Sequence, residues 1–341
     1  MRLIIVGLGV WGQTWAKLLE AHPRVELVGA VDPSGAARGW ASQHLDIACH
    51  TDLRKALEAV RTDAVLIANP PAQHKAAVVE SLNYGRHVLV EKPLATTRED
   101  AVEISRAMKN SSAKVMVGQG YRFVDGAQRV RELLTAGQIG DLRTVRVTFR
   151  KNLTDFLPVQ HSIYSWRHSL VIDMGVHHFD LIRHLTGREV THVYATEHET
   201  PDNAFAYPSN ALGMLRLEGA VPAVWDADWC SSEPSTPWEG NWEFVGTTAR
   251  VFWKGSGAAA NDASIWIKHG RKPPEKLPFQ ESITERREPV LEHFLDAVAL
   301  GRQPQPDVAD NLRTLNVAFS CVESLRTGAE VRLDDARCGT W

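Results

Sequence analysis

Asp173 and His177 stand four positions apart in the segment Asp173-Met-Gly-Val-His177-His178-Phe-Asp180-Leu-Ile-Arg-His184. At ~100° per residue in a helix, positions 173, 177, 180 and 184 gather within about 60° of one another. Phe179, Leu181, Ile182 and Leu185 then form the opposite, apolar face. A carboxylate one turn before an imidazole can orient the ring and support its protonated form, which suits general acid–base chemistry. A solvated polar face is the plainer alternative. A zinc reading of the Asp and His residues is also open, although no clear further ligand accompanies them.

Two more clusters lie where strands end. Glu91-Lys92-Pro93 follows the apolar run His87–Val90, and Asn69-Pro70-Pro71-Ala72-Gln73-His74 follows Ala64–Ala68. Ligands of parallel sheets bind at the C-terminal strand ends. A lysine held there can have a lowered pKa and take part in proton transfer, or it can form a simple surface ion pair with Glu91. The Asn69–His74 segment can open a helix at the same crevice, or be a plain strand-to-helix turn carrying a surface histidine.

The cofactor signal is stronger. The run Arg2–Val6 leads into Gly7-Leu8-Gly9-Val10-Trp11-Gly12, and a second apolar run, Val25–Val31, ends on Asp32. Gly7 permits the tight turn, Gly9 admits backbone close to a pyrophosphate, and Gly12 lets the helix pack on the sheet. The helix that starts at Val10 and Trp11 offers free N–H groups to the phosphates. Asp32, about twenty residues past Gly12, is placed to accept from a ribose diol.

These residues need a scaffold, and the periodicities supply one. Strand-like runs Leu3–Val6, Leu27–Val31, Ala64–Ala68, His87–Val90 and Val115–Gly118 alternate with helical patterns over 11–21, 35–43, 53–59, 73–84 and 98–110. Alternating βα units predict a doubly wound parallel sheet. Beyond residue 120 a helix at 126–136 and a strand at 143–150 precede the 172–185 helix. Strands then dominate, at 192–196, 211–217, 223–229, 242–245, 250–253 and 264–268, and two helices close the chain at 289–300 and 308–327. This predicts an α+β domain with a large, mostly antiparallel open sheet. The expected division is 1–121 for cofactor and 122–341 for substrate and oligomerisation. The last helix is expected to pack back on the first domain.

The 341 residues are enough for two domains, and the net charge of −3 gives no electrostatic reason to expect nucleic acid or an anionic membrane. The first strand begins at the N-terminus, leaving no room for a signal peptide, and no apolar run is long enough to span a membrane. Cys49, Cys230, Cys321 and Cys338 show no paired spacing, which predicts free thiols and a cytoplasmic location.

Taken together, Gly7-x-Gly9-x-x-Gly12, Asp32, Asn69-Pro70 with His74, Glu91-Lys92-Pro93, Tyr121-Arg122-Phe123 and Asp173-x-x-x-His177 resemble the Gfo/Idh/MocA oxidoreductases over nearly the whole chain. The resemblance implies a Rossmann domain for NAD, or NADP. It implies that Lys92, Asp173 and His177 are catalytic and meet near the nicotinamide, and that Pro93 follows a cis peptide. Gly7, Gly9, Val10, Trp11, Gly12, Asp32, Asn69, Pro70, His74, Glu91 and Lys92 are the expected cofactor contacts. Lys92, Tyr121, Arg122, Trp166, Asp173 and His177 are the expected substrate contacts, with no metal. The implied reaction oxidises or reduces a sugar, cyclitol or related polyol in a homodimer or homotetramer. An NAD-dependent glycosidase and a non-catalytic dinucleotide sensor are the competing readings. Eight of the eleven tryptophans lie beyond residue 150. Most are expected in the sheet core or at a subunit interface, with Trp166, beside Arg167 and His168, facing substrate.

Overall fold

The apolar runs of the N-terminal region are buried on both faces, as strands of a helix-covered parallel sheet must be. Every residue of Ala64–Ile67 is buried, and Leu3, Ile4 and Ile5 are inaccessible to solvent. The protein is described here by a computed structural model covering residues 1–199, 203–232, 234–256, 262–279, 281 and 286–333. Cys338 and Trp341 lie outside the described residues.

The first elements are β1 (Arg2–Val6), α1 (Val10–Ala21), β2 (Glu26–Val31), α2 (Gly35–His44), β3 (Ala48–His50), α3 (Leu53–Ala59), β4 (Ala64–Ile67), α4 (His74–Asn83), β5 (His87–Val90), α5 (Arg98–Lys109) and β6 (Val115–Val117). The six strands run parallel in the order β3-β2-β1-β4-β5-β6. The order reverses between β1 and β4, so the turns after these two strands flank the ligand crevice of a doubly wound sheet. The periodicity analysis has no counterpart for β3, whose three residues are too short to show alternation.

The chain continues with α6 (Asp125–Thr135), β7 (Leu142–Arg150), a π-helical turn (Leu170–Gly175) leading into α7 (Val176–Thr186), β8 (Val190–Thr196), β9 (Asn210–Leu217), β10 (Val221–Asp228), β11 (Asn241–Gly246), β12 (Ala249–Lys254), β13 (Ser264–His269) and β14 (Glu275–Lys276). It closes with α8 (Arg287–Ala299), α9 (Val308–Thr327) and β15 (Val331–Arg332). The second sheet has nine strands in the order β14-β13-β12-β11-β7-β10-β9-β8-β15. Only the β7–β10 pairing is parallel. One face is covered: α6 lies against β12 and β13, and the π turn lies against β9 and β10. Trp225, Trp229, Trp242 and Trp253 are buried in this unit, as most of the tryptophans were expected to be. On the opposite face the register aligns Trp266, Phe252, Glu243, Arg146, Val224 and Met214 in one cross-strand row.

The chain forms two compact units. One comprises Met1–Gly120 with Arg287–Leu312; the other comprises Tyr121–Arg286 with the described chain from Arg313 onward. The expected continuous second domain, 122–341, is therefore corrected. Residues 287–312 belong to the first unit because its edge strand needs a cover. The Val117 N–H donates to the Pro306 carbonyl at 3.0 Å, and Met116 bridges Asp307. Val290, Leu291, Phe294 and Leu295 of α8 are buried, while His22 and Arg24 both bond Glu292.

Candidate active site

In the first unit the turn after β1 is shaped by backbone crowding. Gly7 has φ +91°, and a Cβ there would lie 2.5 Å from the Asn69 nitrogen. A Cβ on Gly12 would come within 2.0 Å of the Gly7 carbonyl oxygen, but one on Gly9 would meet nothing within 4 Å. The turn is thus closed behind and open in front. Gly9 caps α1 with no side-chain acceptor, and the first turn of the helix carries no acidic residue. The start of α1, with its N–H groups and positive dipole end, thus lacks a side-chain cap at the open side of Gly9, which fits an anionic pyrophosphate. Val10 and Trp11 are exposed large hydrophobics at the same edge, and the Arg287 guanidinium stacks 4.9 Å from the Trp11 ring centre.

Asp32 follows β2. One carboxylate oxygen accepts the Leu8 N–H and the other the Ser34 N–H, both at 2.8 Å. These bonds fix the carboxylate beside the glycine turn and leave lone pairs for a diol. One Arg38 nitrogen donates to the Asp32 and Pro33 carbonyls, each at 2.8 Å. The residues present therefore fit a dinucleotide.

Two expected cofactor contacts, His74 and Glu91, have other employment. His74 is buried, with Nδ1 2.8 Å from the Pro93 carbonyl and Nε2 2.9 Å from the Asn69 carbonyl. Burial holds its pKa below the ordinary range, and a neutral ring donates to one carbonyl at a time. His74 thus braces the turns after β4 and β5 instead of facing a cofactor. Glu91 accepts the Trp15 indole N–H at 2.6 Å on one oxygen and the Lys92 N–H at 3.1 Å on the other. It pins α1 to the end of β5 and orients the Lys92 backbone, so it is a positioning residue. The Lys92–Pro93 peptide is cis, as the resemblance implied. Lys92 and Asn69 are half-buried and Pro70 is exposed.

In the second unit the Asp173–His184 segment is not one regular helix. Asp173 lies in the π-helical turn and His177 in the first turn of α7. Wide i→i+5 turns of this kind recur at functional sites. His177 is 8 % exposed, and its ring stacks on Tyr121 at 4.3 Å between centroids. The Arg286 guanidinium lies 5.2 Å from the Tyr121 ring centre and donates to one oxygen of the fully buried Glu239 at 2.9 and 2.5 Å. Burial pushes the Tyr121 phenol above its ordinary pKa; Arg286 opposes this, and the charges of Glu239 and Asp173 add to it. The phenol is therefore neutral at physiological pH.

The expected polar face across 173, 177, 180 and 184 is corrected. Asp180 is 1 % exposed and receives the Arg122 fork at 2.6 Å on each oxygen, with the Thr314 hydroxyl at 3.1 Å. Its partner Arg122 is buried with it, so the expected substrate contact at Arg122 is a structural ion pair. His178 is also structural. Its Nδ1 accepts the Trp225 indole N–H at 3.0 Å, and burial pulls its pKa down to about 3. Trp166 is half-buried in the loop before the π turn. Glu239 and Arg286 were not expected. They reach Tyr121 only through tertiary folding, and Glu239 stands beside Trp238 and Gly240 with no spacing pattern to mark it.

The chain matches a family described as "Oxidoreductase family, NAD-binding Rossmann fold" over residues 1–119, and the "GFO/IDH/MocA C-terminal domain" over residues 127–252. It is 25 % identical to a scyllo-inositol 2-dehydrogenase (NAD(+)) of Bacillus subtilis, over 100 % of this chain and 98 % of that one. It is 26 % identical to an inositol 2-dehydrogenase of Rhizobium meliloti, over 98 % and 99 %. Among solved structures, an Agrobacterium radiobacter oxidoreductase in complex with NAD+, L-tartaric acid and magnesium has the same fold. It superposes with a TM-score of 0.88 at 18 % identity, covering 97 % of this chain and 98 % of that one.

Proposed function

The chain belongs to the GFO/IDH/MocA oxidoreductases, and from that premise we propose that it interconverts a secondary alcohol and its ketone on a cyclitol, sugar or related polyol. It is an NAD(P)-dependent enzyme of the dehydrogenase class. The observation that carries the reading is the uncapped start of α1 over the open side of Gly9, one strand from Asp32. The bound nicotinamide supplies the acceptor and donor of hydride.

The chain's own residues supply the rest. The α1 N–H groups hold the pyrophosphate, and the Asp32 carboxylate accepts from the adenosine ribose. His177 takes the hydroxyl proton in oxidation and returns it in reduction, with its ring held flat against Tyr121. Asp173, four residues earlier, stabilises the imidazolium. Lys92 stabilises negative charge growing on the reacting oxygen. Lys92, Asp173 and His177 remain the assigned catalytic residues, and Tyr121 the substrate-pocket wall that fixes His177.

The open row of Trp266, Phe252, Val224 and Met214 supports assembly into a homodimer or homotetramer through that face of the second sheet. A cytoplasmic location belongs to the same proposal and agrees with the free thiols Cys49, Cys230 and Cys321. Among the described residues no helix is long and apolar enough to cross a membrane.

The test is a screen of polyols and keto-sugars, followed by reduced-nicotinamide absorbance with each cofactor. On a substrate so found, Lys92→Ala and His177→Ala each lower turnover by roughly 10²–10⁴, with NAD affinity retained. Near-normal turnover in both variants would overturn the assignment.

A further inference from the structure

Lys151 follows β7 in the second unit and is only 7 % exposed. Its ammonium lies 5.2 Å from the Phe156 ring centre and 5.1 Å from that of Trp238. Among the described residues no carboxylate forms an ion pair with it. Buried lysines are ordinarily paired, and aromatic faces offset only part of the lost hydration. Burial accordingly lowers its pKa, while Glu239 and Asp155 partly offset that effect.

The position of this cation ties it to the candidate site. Trp238, which walls one side of it, directly precedes Glu239. Glu239 is the ion-pair partner of Arg286, and Arg286 lies over Tyr121, whose ring stacks on His177. Glu239 acts electrostatically on both Lys151 and Tyr121. The Phe149 ring contacts both Trp238, at 6.2 Å, and His178, the neighbour of His177, at 5.2 Å. The aromatic walls fix the ammonium in direction, and among the described residues none of its three N–H donors is bonded to a carboxylate. Arg286, by contrast, is neutralised by Glu239.

We propose that Lys151 binds a carboxylate of the substrate, which makes the substrate a polyhydroxy acid and not a neutral cyclitol or sugar. This rests on the alcohol–ketone reading of the same site. The added statement is about the charge of the molecule bound, and Lys151 is its specificity-determining residue. A carboxylate returns to the ammonium the counter-charge that burial denies it, and it accepts charge-assisted hydrogen bonds where a hydroxyl accepts only neutral ones.

The experiment compares matched pairs with NAD: D-glucuronate against D-glucose, and galactarate against galactitol, with myo-inositol as a further neutral probe. The wild type favours the acid of a pair in kcat/KM. Lys151→Met keeps the aliphatic contact with the aromatic walls and removes the charge. It lowers the acid-to-neutral ratio of kcat/KM about 30-fold or more, as expected when one partner of a buried charge pair is lost. Lys151→Arg restores much of the ratio. A wild type that favours the neutral member of each pair, or a ratio unmoved in Lys151→Met, overturns the proposal. If no probe is turned over, the alcohol–ketone reading fails for these compounds, and melting curves with NAD decide the anion site separately. Stabilisation by glucuronate or galactarate that disappears in Lys151→Met upholds it, whereas no stabilisation by either acid overturns it.

Discussion

Cofactor choice turns on a single carboxylate. Asp32 is held by the Leu8 and Ser34 N–H groups, neither of which removes its charge. A 2′-phosphate would meet that charge at close range. Arg38, a cation beside Asp32, already gives one of its nitrogens to two backbone carbonyls. NAD is therefore expected to bind more tightly than NADP, and Asp32→Ala to narrow the difference in titrations of both cofactors; tighter NADP binding by the wild type would contradict this. His178 gives a second residue-scale expectation, with a sign. Its pKa of about 3 in the fold lies below its unfolded value of ~6.5. Between these values the unfolded chain binds the extra proton, so stability is intact above ~6.5 and is lost as pH falls toward 3. Melting temperatures from pH 7 to 4.5 are expected to fall less steeply in His178→Gln, whose amide can still accept from Trp225, than in the wild type. Equal slopes would show that the ring does not carry the effect. The sequence marked His178 only as the neighbour of His177. Periodicity shows which side chains share a helix face but not what covers the face, and for that reason Asp180 and Arg122 could not be recognised as a buried pair.

At the scale of elements, the junction of β1 and α1 was the most legible part of the chain, because its requirements are local. Gly7 answers a contact with the chain leaving the adjacent strand and Gly12 a contact five residues back, while Gly9 answers none. The contacts separate two roles that the motif alone leaves merged. Gly12 faces the Gly7 carbonyl at a distance no Cβ tolerates, whereas Gly9 faces open space. Gly12→Ala is expected to lower both the melting temperature and NAD affinity. Gly9→Ala is expected to leave the melting temperature within a degree or two while weakening NAD binding, since its methyl group intrudes only where pyrophosphate would lie. Titration and thermal melts of the two variants distinguish these outcomes, and a large destabilisation of Gly9→Ala would refute the open-cradle reading. The Asp173–His177 spacing predicts a one-turn pair on a single regular helix, and the π-helical geometry under Asp173 was hidden. It depends on i→i+5 bonding that no apolar period reports. Glu239, Arg286 and Lys151 were hidden for a different reason. They converge through tertiary folding, including the β7–β11 pairing that brings the ends of those strands together, over separations at which spacing carries no information.

For the whole molecule the open question is what covers the outer face of the nine-stranded sheet. Antiparallel sheets can leave one face in water, but the side chains that do so are ordinarily polar. Here Leu212 is 46 % exposed, Met214 59 % and Trp266 37 %. Trp266 and Met214 belong to one cross-strand row with Phe252 and Val224, interrupted only by the Arg146–Glu243 ion pair at 2.5 Å. A row of this composition buries well against a second copy of itself, because a two-fold axis would set apolar residues against apolar residues and the ion pair against its equivalent. Sedimentation at micromolar concentration is expected to give a multiple of the 37.9 kDa chain mass. Met214→Glu together with Leu212→Glu places like charges on β9 of that face without touching the core beneath it. The double variant is expected to sediment as a monomer while still binding NAD, because the cofactor residues assigned to the first unit are unchanged. A monomeric wild type, or a double variant that keeps its assembly, would show that the face remains in water and that its exposed apolar residues have another use.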